Sequence, residues 1–209
     1  MDKTSYQTEQ ERFWAGEFGS EYIARNSSEQ LLASNLSFFS NALKGTGALN
    51  SVVEFGANMG MNLKAIRLLL PNASLNAVEI NSDACSQLKQ LDFLDSIFCG
   101  SIFDYQSRDS RHDLVLIKGV LIHVHPDFLD LVYEKAYESS ERYVLLAEYY
   151  NPSPVDVMYR GHEGFLFKRD FAGEFLDKYP STRLVDYGFS YHRDPLFPQD
   201  DITWFLIEK

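Results

Sequence analysis

From residue 51 onward, short apolar runs alternate with amphipathic ones, and that rhythm constrains the fold more than any other feature of the chain. "SVVEF" (51–55) has the length and β-branched content of a buried strand. "MNLKAIRLLL" after it has helical spacing and stops at Pro71. "SLNAVEI" (74–80), "DSIFCGSI" (95–102), "HDLVLIKGV" (112–120) and "RYVLLAEYY" (142–150) read as further strands. "DACSQLKQL" and "PDFLDLVYEKAYES" read as helices between them, the second with Pro126 at its first position. A later helix, "RDFAGEFLDKY", precedes two more strands, "RLVDYGFSY" (183–191) and "DITWFLIEK" (201–209). Strands alternating with helices imply right-handed crossovers and a mostly parallel sheet with helices on both faces. The link "HRDPLFPQD" is short for a helical crossover, so an antiparallel last strand is expected.

The first 50 residues read as helical. In "TEQERFWAGEFGSEYIARN" the rings of Trp14, Phe18 and Tyr22 recur every fourth residue and share one helix face. That face either packs on the domain or covers a pocket. Ser27 and Gln30 match a capping box before "LLASNLSFFSNAL", and "GTG" (45–47) breaks that segment. No repeat or linker divides the chain, so 1–47 is expected as an N-terminal helical cap of the same domain and 48–209 as its main body.

The net charge of -11 argues against a generic nucleic-acid binder, which gains affinity by neutralising phosphates. Cys85 and Cys99 have no metal-like spacing and are expected as small apolar residues in a reducing cytoplasm. The stretch "MDKTSYQTEQER" lacks the apolar core of a signal peptide, and no apolar run reaches the ~20 residues of a membrane helix. A cytoplasmic protein without membrane insertion is expected; the oligomeric state stays open.

An open parallel sheet binds ligands at the carboxyl ends of its strands. The turn "EFGANMG" after the first strand carries Gly56, Asn58 and Gly60, residue types that tolerate left-handed backbone and allow close approach of a ligand. Its spacing is not the G-x-G-x-x-G of dinucleotide-binding dehydrogenases, which disfavours a nicotinamide enzyme. Glu79 ends the second strand, where a carboxylate can clamp ribose hydroxyls. Asp104 follows the third strand behind Ile102 and Phe103, an apolar wall plus an acceptor for an amino group.

This ordered set resembles the class I S-adenosylmethionine-dependent methyltransferases over roughly residues 48 to 209. More narrowly, "FWAGEFGSEYIARN", "VVEFGANMGMNLKAI" and "LIKGVLIHVHP" resemble the methyltransferases associated with pseudaminic acid biosynthesis. The resemblance implies a Rossmann-like α/β fold with a seven-stranded, mostly parallel sheet, an antiparallel last strand and an N-terminal helical extension. It implies S-adenosyl-L-methionine as cofactor and S-adenosyl-L-homocysteine as product. Glu54, Gly56, Asn58 and Gly60 would surround the methionine part, with Tyr22, Arg25 and Lys118 nearby. Glu79 and Ile80 would hold the ribose, and Ser101, Ile102, Phe103 and Asp104 the adenine. Asn58 departs from the broader pattern, which often has a glycine there.

His123, in "HVHP" beyond the fourth strand, is a candidate general base for a hydroxyl acceptor, with a structural role as the alternative. After the fifth strand, "AEYYNPSPVDVMYRGHEGFLFKRD" mixes donors, acceptors and flat rings. Tyr150 and His162 are candidate catalytic residues there. Tyr149, Asn151, Arg160 and Lys168 are candidate acceptor ligands, the last two as partners for an anionic group. No third ligand accompanies His123 and His125, so no metal is expected. The reading is a methyltransferase of a small polar acceptor, with a sugar or nucleotide-sugar implied by the narrower resemblance. The rivals are a protein or lipid-linked glycan acceptor and a cofactor-binding module without turnover.

Overall fold

A computed structural model of the chain describes residues 6–23, 28–107 and 111–209. Strands β1 (Ser51–Phe55), β2 (Ser74–Glu79), β3 (Ser96–Cys99), β4 (His112–Lys118) and β5 (Ser140–Glu148) form where the apolar runs lie. They pair in parallel in the order β3-β2-β1-β4-β5. A small hairpin, β6 (Val155–Asp156) with β7 (Phe167–Lys168), follows outside the sheet. β9 (Ile202–Glu208) then inserts between β5 and β8 (Arg183–Ser190), antiparallel to both. The sheet is therefore seven-stranded with an antiparallel last strand, as the short link requires.

Alternation along β4 shows why these runs are continuous in apolar character. Leu114 and Leu116 enter one core with Phe39, Leu63, Ile66 and Leu75. Val115 and Ile117 enter the opposite core with Val132 and Phe175. A strand covered on both faces has no solvent side to make polar. The first core is roofed by α3 (Glu29–Ala42) and α4 (Met61–Leu69), the second by α6 (Leu129–Ser139) and α7 (Phe171–Lys178).

Four local expectations need correction. The N-terminal helical stretch divides at Gly16 into α1 (Glu9–Ala15) and α2 (Glu17–Ile23). α1 opens with a capping box: Thr8 Oγ1 accepts from Glu11 N at 3.1 Å, and Glu11 Oε2 from Thr8 N at 3.2 Å. α3 is capped by Ser28, whose hydroxyl accepts from Leu31 N at 3.1 Å, and Ser27 lies outside the described residues. A cap must reach the N–H three residues on, which from Ser28 is Leu31. Pro126 starts a 3-10 turn (Pro126–Phe128) that leads into α6. Cys85, on α5 (Ser82–Leu88), is bonded to Cys99 at the end of β3, with Cα atoms 6.0 Å apart. The β2–α5–β3 crossover brings the two together, which spacing alone does not reveal. Their use therefore supports no reducing compartment. No described helix is long and apolar enough to cross a membrane.

Candidate functional site

A cavity of about 470 Å³ opens at the carboxyl ends of β1, β2 and β4. That is the size range of small-molecule sites, ~300–1,000 Å³. Its floor is the turn after β1. Gly56 (φ 76°), Asn58 (φ 48°) and Gly60 (φ 83°) are all left-handed. The N–H groups of Gly56 and Ala57 bond Val78 O at 2.8 and 3.1 Å, which ties the turn to β2. A Cβ on Gly56 would lie 2.4 Å from Val120 Cγ2, so no side chain fits there. Asn58 lines the cavity, while Gly60 sits behind it as the start of α4.

Glu79 is buried at the end of β2 and lines the cavity. Its Oε2 accepts from Asn58 N and its Oε1 from Asn81 N, each at 2.7 Å. Burial raises its pKa against these bonds and a further one from Ile80 N–H, and the carboxylate keeps acceptor capacity beyond them. Asn81 caps α5, its Oδ1 accepting from Asp83 N and Ala84 N at 3.0 and 3.1 Å. Its Nδ2 donates to the carbonyls of Trp14 and Gly16 at 3.1 and 3.3 Å, tying α1 to the site. Asn81→Ala is expected to cost about 1–2 kcal/mol of stability, read by urea unfolding, because the cap is lost. It should also weaken ligand binding by releasing α1.

Glu54 lies behind the turn with no exposed surface and does not line the cavity. Its Oε1 accepts from Asn62 Nδ2 at 2.6 Å, and its Oε2 has no partner. Burial pushes its pKa up to about 8. Lys118, at the end of β4, does line the cavity. Burial lowers its pKa, and the carboxylates of Glu54, Asp200 and Glu148 oppose that. Its ammonium lies 5.5 Å from the centre of the Phe38 ring.

Glu148 is a buried clamp: its carboxylate accepts from Val120 N and Leu121 N at 2.9 Å and from Ile122 N at 3.4 Å. Burial pushes its pKa up to about 7. The segment it holds carries His123. His123 Nδ1 lies 2.6 Å from the Phe165 carbonyl and so carries the proton, leaving Nε2 as an acceptor. His123 lines the cavity between the rings of Trp14 (4.6 Å) and Tyr159 (4.9 Å). Burial pushes its pKa down to about 4, so the ring is neutral at physiological pH.

Tyr22, Ile80, Ser101, Ile102 and Phe103 also line the cavity. Phe103 stacks on Phe128 at 5.2 Å. Asp104, by contrast, is exposed and outside the wall, because the 3-10 turn that buries Phe103 turns the next residue to solvent. Arg25 lies outside the described residues. The segment after β5 leaves the site as the β6–β7 hairpin, and its candidates do not line the cavity. His162 is exposed against Phe13 at 5.0 Å, and Tyr150 lies over Phe205 at 6.0 Å. Arg160 is exposed near the Tyr159 ring, Asn151 bonds Ser153 O, and Lys168 lies 5.3 Å over the Tyr149 ring. Tyr149 bonds the Asp200 side chain from behind the wall.

The rest of the wall comes from the α1 face, which the sequence left open between packing and covering a pocket, and from segments that the sequence did not mark. Glu11 and Trp14 of α1, Asn35 of α3, and His192, Gln199 and Asp200 between β8 and β9 all line the cavity. Gln199 donates to Asn35 Oδ1 at 2.8 Å, closing the roof across the molecule. One signal was available: β8 is parallel to β1, so the link to an antiparallel β9 must lie at the ligand edge. Buried atoms without a partner mark the same walls: Glu11 Oε1, Trp14 Nε1 and Asn58 Oδ1.

This strand order and this turn define the Rossmann-like methyltransferase fold. The plantazolicin methyltransferase BpumL, solved in complex with SAH, is similar at a TM-score of 0.66 and 14% identity, covering 96% of this chain and 93% of that one. The magnesium protoporphyrin IX methyltransferase ChlM from Synechocystis PCC 6803, with bound SAM, gives 0.65 and 12% over 99% and 100%. A SAM-dependent methyltransferase from Archaeoglobus fulgidus gives 0.67 and 12% over 92% and 100%. No family model matches the chain, and no curated protein matches it by sequence.

Proposed function

We propose that this chain is an S-adenosylmethionine-dependent methyltransferase acting on a small polar acceptor. The observation that carries the reading is Glu79: a buried carboxylate at the end of β2, beside a left-handed turn, lining a cavity of small-molecule size. In this reading Glu79 and Ile80 take the ribose, Ile102 and Phe103 take the adenine face, and Gly56 and Asn58 take the amino-acid tail. The unpartnered Asn58 Oδ1 suits the ammonium of that tail. When bound, the cofactor supplies an activated methyl group on a sulfonium.

The chain's own residues align the acceptor and keep water out. Trp14, Tyr22 and the Gln199–Asn35 bond cover the cavity. His123 Nε2 accepts a hydrogen bond from the acceptor and so fixes the direction of the acceptor atom's own lone pair. The narrower resemblance of the turn and the "HVHP" stretch favours a sugar or nucleotide-sugar of pseudaminic acid or surface glycan biosynthesis. A methyltransferase acting on a protein or a lipid-linked glycan is the alternative.

Isothermal titration with S-adenosylhomocysteine tests the cofactor, and mass spectrometry of an acceptor panel tests turnover. Tighter binding of NADH than of S-adenosylhomocysteine would overturn the reading. Tight cofactor binding with no product from any acceptor would leave a binding module. His123→Ala is expected to lower kcat at least ~10-fold with S-adenosylhomocysteine affinity within about twofold, below the ~10²–10⁴-fold of a full general base.

A further inference from the structure

We propose that the group methylated is an amine nitrogen, held at the cavity wall by the carboxylates of Glu11 and Asp200 and by the rings of Trp14, Tyr22 and His123; this rests on the methyltransferase reading above. The first observation is Glu11. It is 8% exposed and lines the cavity, and its Oε2 is taken by the N–H groups of Gln7 and Thr8 at 2.6 and 3.2 Å. Its Oε1 has no partner at all. A buried carboxylate oxygen left bare costs about 1–3 kcal/mol or more, so a ligand donor belongs there. Trp14 is three residues on, on the same helix face, and its ring meets His123. That places Glu11 with the residues beyond β4 rather than behind the turn after β1.

The second observation is the charge of the wall. Among the described lining residues the carboxylates are Glu11, Glu79 and Asp200. Lys118 faces Asp200 as well as the buried Glu54 and Glu148, so the acids around it outnumber it, and His192 is paired to Asp201 at 2.8 Å. With Glu79 on the ribose, Glu11 remains to meet the acceptor, together with the acceptor sites of Asp200 that the Tyr149 hydroxyl leaves open. Arg160 and Lys168, the cations expected for an anionic acceptor, lie outside the wall. The aromatic faces of Trp14 and Tyr22 add attraction for a cation. A neutral His123 matches this chemistry, since it is a weak base for a hydroxyl but a good acceptor for an N–H.

The atoms balance without another reagent. An amine arriving as ammonium gives one proton to solvent by way of the Asp200 carboxylate at the cavity mouth. The nitrogen lone pair forms the N–C bond while the C–S bond breaks and its electron pair goes to sulfur. The methylated amine leaves as an ammonium, carrying the charge that the sulfonium lost.

The test uses the full chain saturated with S-adenosylhomocysteine, titrated with benzylamine, benzyl alcohol and benzoate. Benzylamine is expected to bind at least ~10-fold tighter than either of the others. Glu11→Gln is expected to lower benzylamine affinity at least ~10-fold with S-adenosylhomocysteine affinity within about twofold; glutamine keeps the capping box, so the helix stays. Asp200→Asn is the second variant, with the same expectation. Benzoate or benzyl alcohol binding as tightly as benzylamine, or benzylamine affinity unmoved by both substitutions, overturns the amine while leaving the cofactor reading intact. Failure of S-adenosylhomocysteine to bind at all strikes the methyltransferase reading first and the amine with it.

Discussion

Glu79→Ala is expected to weaken S-adenosylhomocysteine binding at least ~100-fold. A hydrogen bond to a charged group is worth about 1.5–3 kcal/mol, and two ribose hydroxyls on one carboxylate make that ~3–6 kcal/mol. The same substitution strips the acceptors from Asn58 N and Asn81 N, which sit 2.7 Å from the two oxygens. Leaving those donors unpaired costs about 1–3 kcal/mol each, so the urea midpoint should fall as well. Glu79→Gln separates the two effects. Its single amide oxygen keeps one of the backbone bonds, yet it offers no charged clamp. Calorimetric affinity unchanged in a folded Glu79→Gln protein removes the ribose assignment.

The second large effect is on stability against pH, and it comes from Glu54. Its pKa rises from the ordinary 4.5 to about 8 because burial penalises the carboxylate. Between those values the unfolded chain has lost the proton and the folded chain has kept it. The folded state binds more protons, so stability falls as pH rises through this window. A tenfold change in proton affinity is worth about 1.4 kcal/mol, so the full loss is on the order of 4–5 kcal/mol at most. Glu148 slopes the same way up to about 7. His123 slopes the other way between about 4 and its ordinary 6.5, because the folded ring resists protonation. Urea unfolding between pH 6.5 and 8.5 lies above the His123 range; buried Glu79 slopes the same way as Glu54 and buried Lys118 the opposite way, so the comparison with Glu54→Gln isolates Glu54. Glu54 is expected to contribute a loss of about 2 kcal/mol there, and Glu54→Gln is expected to remove that part of the slope. A wild-type slope equal to that of Glu54→Gln across that range overturns the buried, protonated Glu54.

The fold was legible because strands buried on both faces must be apolar throughout, and that leaves a pattern no loop imitates. The cavity wall at the ends of those strands was legible for the same reason: Glu79, Ile80 and Lys118 are placed on it by the strand, and Asn58 by the turn that follows one. The placement of Asp104, Tyr150, Arg160 and His162 off that wall was not, since a single 3-10 turn or a hairpin decides which way a loop side chain faces. Glu11 and Asp200 were harder still. They come from segments nearly the whole chain apart and meet the cavity only after the sheet has formed. The Cys85–Cys99 pair belongs with them, because a bond across a crossover depends on where α5 lands against β3.

The place of β9 in the sheet bears on biosynthesis. Residues 202–208 bridge β5 and β8, so a nascent chain emerging from the ribosome holds β8 with no neighbour until those residues are out. The rim that carries Gln199 and Asp200 hangs on that late stitch. Without β9 the facing edges of β5 and β8 would both be bare, and unpaired strand edges are open to aggregation and to chaperones.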